Sequence, residues 1–230
     1  MSLPFVENFQ RLLRRVLGQE AKSLPAGKRP SAAPLVRHSN GLQEFWKEIQ
    51  SPAGLQILDL GSASQANVSF ITGLGHKLYT EDLIRTLQDS APAEPVLAEQ
   101  PSEEEQTSEE DRFFQENLKF TEGQFDGILC WDLFDFLADP LVKPLIERLH
   151  LSLKPGGTLL TFFHTGQAGH EVPLYQYGIQ SEDTLRITGH GTGKLHHTFH
   201  NRAIENLFRR FASLKFYLSR DNLREVIIVR

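Results

Sequence analysis

Residues Leu55 to Asn67 constrain this chain more than any other stretch. Leu55-Gln56-Ile57-Leu58-Asp59-Leu60 is a short apolar run suited to a buried parallel strand. It ends on a carboxylate and breaks into Gly61-Ser62-Ala63-Ser64, after which Val68, Phe70 and Ile71 supply the apolar positions of a helix. A strand, a turn of small residues and a helix form a nucleotide pocket in an open α/β sheet, because the turn lets a ligand approach the backbone closely. A dinucleotide fingerprint asks for glycines at fixed spacing, and only Gly61 stands here.

The segments around this turn repeat the same alternation. A helix starting near Asn40, with Leu42, Phe45, Trp46 and Ile49 as its stripe, leads into the strand and is closed by Ser51-Pro52-Ala53-Gly54. His76 to Leu83 reads as the next strand, tipped by Glu81 and Asp82, which lie 22 and 23 residues beyond Asp59. An acid about 20 residues past such a turn, at the tip of the following strand, is placed to accept from ribose hydroxyls. Phe125 to Asp132 is a third apolar strand, Leu141 to Leu153 a helix, and Lys154-Pro155-Gly156-Gly157 a turn into the strand Thr158 to His164. A helix over Asn201 to Phe211 precedes two closing strands, Phe216 to Leu218 and Val226 to Val229, joined as a hairpin. The predicted architecture is α/β: an open, mostly parallel twisted sheet with helices on both faces and an antiparallel C-terminal edge hairpin, three layers in all.

Other segments decorate this domain, which is expected over 40–230. Phe5, Phe9, Leu12, Leu13, Val16 and Leu17 line one face of an amphipathic helix within residues 1–20. It suits a contact with its own domain or a second subunit, or a peripheral membrane contact through its three arginines. Residues 21–39, with Pro25, Pro30 and Pro34, read as an extended linker. Residues 88–111 are rich in Pro, Ser, Gln and Glu and read as an acidic, mobile insertion. Glu94 to Glu116 holds nine acids against Arg112 alone, so the net charge of −5 hides a remainder of +3. No dense basic patch interleaved with aromatics calls for nucleic acid. No apolar run approaches the roughly 20 residues of a bilayer span, and no signal peptide is expected. One cysteine, Cys130, excludes an intrachain disulfide and fits a reducing, cytoplasmic setting.

Three segments together resemble the class I S-adenosylmethionine-dependent methyltransferases, a Rossmann-like family. They are Ile57 to Ser64, the run Phe120 to Asp132, and Leu153-Lys154-Pro155-Gly156-Gly157-Thr158-Leu159-Leu160. The resemblance implies S-adenosylmethionine as cofactor and an aligned, metal-free methyl transfer. It implies that Gly61, Ser62, Ala63 and Ser64 lie against the methionyl and ribose part, and that Asp59 holds the turn and the cofactor's amino group. Asp82, or Glu81 one residue earlier, would bind the ribose with Leu83 beside it, and Trp131 and Asp132 would line the wall near the sulfonium. Ala63 and Gln65 stand where the family carries further glycines. No Asn/Asp-Pro-Pro-aromatic motif follows the third strand, which argues against nucleic-acid amino groups as acceptors. The expected acceptor is a small molecule or a protein side chain. The alternatives are a methyltransferase-like domain that serves as a binding or scaffold module, and a nicotinamide-dependent oxidoreductase.

Six of the nine histidines fall between His164 and His200. His164, at the end of a strand on the ligand side of the sheet, is a candidate to orient or deprotonate a nucleophile. His196 and His200 would share a face of a strand, but they lack the further ligands that zinc requires, so no metal is expected. Residues 165–195, rich in Gly, His and Tyr, read as a substrate lid. Cys130 reads as a small buried hydrophobe.

Overall fold

The computed structural model describes residues 34–50, 54–89, 113–218 and 223–230. The N-terminal amphipathic helix, the first part of the linker and the insertion from residue 90 onward lie outside them. A six-stranded sheet, in the order β3-β2-β4-β5-β9-β8, organises the chain. Its strands are β2 (Gln56–Asp59), β3 (Lys77–Thr80), β4 (Phe125–Trp131), β5 (Leu153–His164), β8 (Ser213–Leu218) and β9 (Leu223–Val229). The first four run parallel, and β9 and β8 close the edge antiparallel. This is the predicted α/β class with its C-terminal hairpin edge.

Alternation along the central strands sorts the core into two layers. Leu58, Ile128, Cys130, Leu159, Phe163, Val226 and Ile228 face one side, together with Leu141, Leu145 and Leu149 of α4 (Asp139–Ser152) and Ile204 of α5 (Asn201–Leu207). Ile57, Leu129, Trp131, Leu160, Phe162 and Ile227 face the other, against Leu42 and Phe45 of α1 (Asn40–Glu48) and Ile71 of α2 (Gln65–Gly73). Successive strand residues point to opposite faces, and strands buried on both faces read as continuous apolar runs.

Two expected elements are redrawn. Part of the linker, Leu35–His38, is a strand (β1), and residues within 165–195 form a long antiparallel hairpin of β6 (Glu171–Ser181) and β7 (Thr184–Lys194). These strands make a second sheet, in the order β1-β7-β6, on the face that carries α1 and α2. β1 is short and its ladder partner lies about 150 residues away, with Leu35 opposite Ile187, so no local pattern marks it. The helix that starts at Asn40 is capped by the residue before it: Ser39 Oγ accepts from the Leu42 amide at 3.0 Å.

The Lys154-Pro155-Gly156-Gly157 stretch, expected as a turn ahead of the strand, falls inside β5, where the ladder to β4 shifts register between Leu153 and Thr158. Gly156 has φ +77°, in the left-handed region that glycine enters without a Cβ penalty, and a Cβ on Gly157 would stand 2.9 Å from the Lys154 carbonyl oxygen. Lys154 Nζ reaches both Asp126 oxygens at 2.8 Å, and Asp126 Oδ2 also accepts from the Gln56 amide, which ties β5, β4 and β2 together.

Candidate functional site

At the carboxyl ends of β2, β3 and β4 lies a cavity of about 450 Å³. Ligands in open α/β sheets bind there because the strands end together and their loops diverge. Leu60, Gly61, Ser62, Asp82, Ile84 and Arg85 line it from the segments that follow β2 and β3, Cys130 to Leu133 and Phe136 from the end of β4 and the turn after it, and Leu174, Tyr175, Tyr177 and His190 from the β6–β7 hairpin. The β6–β7 hairpin supplies four of these residues and forms the roof.

The turn after β2 is held from below. Asp59, 1% exposed, accepts from the Gly61 amide at 3.0 Å, from Asn67 Nδ2 at 2.7 Å and from Trp131 Nε1 at 2.7 Å. Burial pushes its pKa up, and the three donors oppose that shift. Asn67 joins turn to roof: its amide nitrogen also donates to the Tyr177 carbonyl at 3.0 Å, and its side-chain oxygen accepts from the Ile179 amide at 2.7 Å. Gln176 Nε2 donates to the Ala63 carbonyl at 2.6 Å. Sequence reasoning missed the role of Asn67, because an asparagine in the first turn of a helix carries no sign of a partner 110 residues away.

Trp131 has φ +51°, a left-handed backbone that is an outlier for a bulky residue. Its ring lies so close to Gly61 that a Cβ there would stand 2.5 Å from Trp131 Cδ1, and it stacks on Tyr177 with centroids 5.0 Å apart and planes 7° from parallel. Gly61 is therefore required by a close approach, and the group that approaches is the chain's own indole. Gly61→Ala is expected to displace Trp131, read as a shift in tryptophan emission; unchanged emission would show that the turn yields instead.

Asp132, 5% exposed, lines the cavity and accepts from the Tyr177 hydroxyl at 2.9 Å. Burial raises its pKa to about 7; His164 and the Tyr177 hydroxyl pull it down, and Asp135 pushes it up. His164 does not line the cavity but stands behind its wall, its ring stacked on Tyr175 with centroids 6.5 Å apart; its Nδ1 lies 2.9 Å from Asp135 Oδ2, and its backbone amide donates to the same oxygen at 2.6 Å. Asp82 lines the cavity, and its Oδ1 accepts from the Arg85 amide at 3.1 Å, which starts α3 (Leu83–Asp89).

Of the ten cofactor residues expected from sequence, Gly61, Ser62, Asp82, Trp131 and Asp132 come together on the cavity wall. The other five do not. Asp59 is buried beneath the turn, Ala63 is tied to the hairpin, and Ser64 is buried beside Gly178. Glu81 accepts from Thr86 Oγ1 at 2.9 Å, and Leu83 is fully buried in the core. The acid at the tip of β3 that faces the cavity is thus Asp82 and not Glu81. Among the described residues no group of three or more His, Cys, Asp or Glu is placed to hold a metal ion, and no helix is long and apolar enough to cross a membrane. Burial drives the Cys130 thiol pKa well above its ordinary value, which leaves it a packing residue.

A parallel sheet with a closing antiparallel hairpin, and a covered cavity at its strand ends, defines a Rossmann-like cofactor-binding domain of the class I methyltransferase kind. The family of proteins described as the methyltransferase domain matches residues 11–211. The chain belongs to that family, whose methyl donor is S-adenosylmethionine. Comparison with curated proteins finds no match. Among solved structures it is similar to an S-adenosylmethionine-dependent methyltransferase from Archaeoglobus fulgidus (7% identity, 82% of this chain and 91% of that one, TM-score 0.48). It is also similar to one from Clostridium acetobutylicum (12%, 84% and 92%, 0.46) and to a TehB-like enzyme from Corynebacterium glutamicum (14%, 83% and 87%, 0.45). These likenesses are distant, and membership rests on the family match.

Proposed function

We propose that this methyltransferase acts on a small, largely apolar acceptor held beneath the β6–β7 hairpin. The observation that supports this reading is the cavity's lining: beside Gly61, Ser62 and Asp82 it carries Phe136, Leu174 and Tyr175, the last two from the hairpin. The residues fit the cofactor. Asp82 offers a carboxylate to a vicinal diol, Ile84, Leu60 and Leu133 offer apolar walls to a flat base, and a cavity of about 450 Å³ lies within the range of small-molecule sites.

When bound, S-adenosylmethionine supplies an electrophilic methyl group on a sulfonium, open to in-line displacement. The protein's part is then alignment, exclusion of water and custody of one proton. Phe136, Leu174 and Tyr175 orient the acceptor and keep water out. Asp132 takes the proton that a hydroxyl or amine acceptor must lose, because a buried carboxylate with a pKa of about 7 both accepts and releases a proton near neutrality. Tyr177, donating to its Oδ2, fixes the carboxylate's orientation. A second reading, a non-catalytic binding module, draws support from the indole pressed on Gly61.

Calorimetry with S-adenosylmethionine, S-adenosylhomocysteine and NADH tests the proposal: the first two should bind and NADH should not. If neither of the first two binds, the reading fails, and binding without turnover over a broad acceptor panel favours the module. Asp82→Ala is expected to weaken S-adenosylhomocysteine by about 1–3 kcal/mol through lost charge-assisted hydrogen bonds. An unchanged affinity would take the diol away from Asp82.

A further inference from the structure

A second cavity, of about 610 Å³, lies at the other end of the sheet, where β2 and β3 begin. Trp46 and Lys47 of α1 line it, with Leu55 ahead of β2, Leu74 and His76 ahead of β3, and Glu182 at the tip of the β6–β7 hairpin. It shares no lining residue with the cofactor cavity. Two polar atoms of this wall are unmet. Among the described residues the buried Trp46 Nε1 and His76 Nδ1 have no hydrogen-bond partner, and His76 as a whole is 8% exposed. A buried polar group left unpaired costs stability, so a wall that keeps two of them calls for a physical reason. The indole N–H can only donate. His76 stacks on that indole, with centroids 6.2 Å apart and planes 20° from parallel, and burial holds its pKa below the ordinary value against the pull of Asp126. The imidazole is therefore neutral near pH 7 and has one N–H to give. A half-turn about its Cβ–Cγ bond exchanges the two edges of the ring and keeps the stack.

The rest of the lining says what would meet these donors. Lys47 adds a cation: its Nζ is 4.0 Å from Glu44, whose closer partner is Lys215 at 2.6 Å. Leu55 and Leu74, with the Trp46 ring, add apolar surface. Glu182 disfavours a second negative charge on whatever binds. We propose that this cavity is a second ligand site, which takes a small monocarboxylate with an apolar body. The carboxylate accepts from the Trp46 indole, from His76 and from Lys47, and the body packs on Leu55 and Leu74. The volume lies within the range of small-molecule sites. The site stands at the opposite end of the sheet from the methyl donor and does not depend on it.

The probes are benzoate and benzamide, which share a ring and differ in the charge of the acceptor group. Trp46 and Trp131 are the two tryptophans of the chain, so a nitrogen–proton correlation spectrum of the full chain carries two indole signals, and Trp46→Phe tells which is which. Benzoate should move the Trp46 signal downfield and saturate in the millimolar range, the scale for a fragment of this size. The Trp131 signal should stay, since that N–H is already bonded to Asp59 at 2.7 Å. Benzamide should bind about fivefold more weakly, the gap between a charged and a neutral acceptor. His76→Phe keeps a ring against the indole and loses both nitrogens, and its affinity for benzoate should fall about fivefold on the same ground. Lys47→Gln changes an exposed side chain and should erase the preference for benzoate over benzamide, which keeps the test open if His76→Phe does not fold. A Trp46 signal that ignores benzoate, equal affinities for the two probes, or a preference that survives Lys47→Gln overturns the proposal.

Discussion

Glu225→Ala is expected to lower the unfolding free energy by about 3–5 kcal/mol, the scale for removing one partner of a buried charge pair. Glu225 is 1% exposed on β9, and it gathers the start of the chain's described part around itself. Its Oε2 accepts from Ser39 Oγ at 2.9 Å and from the Gly41 amide at 2.6 Å, and its Oε1 takes the Arg37 guanidinium, which also lies over the Phe162 ring at 5.2 Å. Deleting the carboxylate takes one charged partner from a buried guanidinium and the acceptor from an amide at the start of α1. Gly41 permits the approach, since a Cβ there would stand 2.8 Å from Glu225 Oε2. Chemical denaturation measures the loss. A double variant, Arg37→Met with Glu225→Leu, should recover most of it, because removing both charges removes the desolvation cost as well. A single-variant loss under about 1 kcal/mol, the value of an exposed pair, would mean that water reaches the pair.

The second large effect concerns Asp132. Its pKa is raised from 3.8 to about 7 by burial, so the folded state favours the protonated carboxyl. The sign follows from that direction. This group's stabilising contribution is complete below pH 3.8, the unfolded value, declines as the pH rises, and is gone above about 7. Asp132→Asn keeps the neutral shape and removes the titration. The variant's stability relative to the parent should therefore grow between pH 4 and pH 7, by roughly 4 kcal/mol at the top of that window, at about 1.4 kcal/mol per pKa unit. Thermal melts across the window give the difference directly, about 10 °C for a chain of this size. A constant difference would show that Asp132 does not titrate there. Methyl transfer should fall by about 10²–10⁴ for any acceptor that must lose a proton to Asp132. The carboxylate whose burial weighs on the fold as the pH nears neutrality is then the one that takes the acceptor's proton.

The inner strands β2, β4, β5 and β9 were legible because they are buried on both faces and read as apolar runs ended by turn residues. Phe125 to Trp131 and the Lys154-Pro155-Gly156-Gly157 stretch carry that logic most plainly. The place of Asp82 on the cavity wall was legible in a different way, as an acid just past a strand about 20 residues beyond the turn. What escaped was everything decided by pairing at a distance. Leu35–His38 is too short to show a period and becomes a strand because β7 lies beside it. The β7 segment Thr184–Lys194 carries Gly189, Gly191 and Gly193, and this glycine-rich composition reads as a loop. The bond from Trp131 to Asp59 spans 72 residues and needs a backbone conformation that no tryptophan adopts by preference.

The acceptor of α1's Gly41 amide sits 184 residues downstream, and the hairpin that roofs the cavity pairs with a strand from the start of the described chain. Chains emerge from the ribosome N-terminus first, and contacts between distant segments form slowly because the loop entropy must be met before they reward it. While this protein is being made, Arg37, Ser39 and the start of α1 wait for β9 and its Glu225, which follows Gly41 by 184 residues. The fold is closed by its last strand, and a nascent chain cut short of Glu225 would carry a half-built sheet with its first helix unanchored.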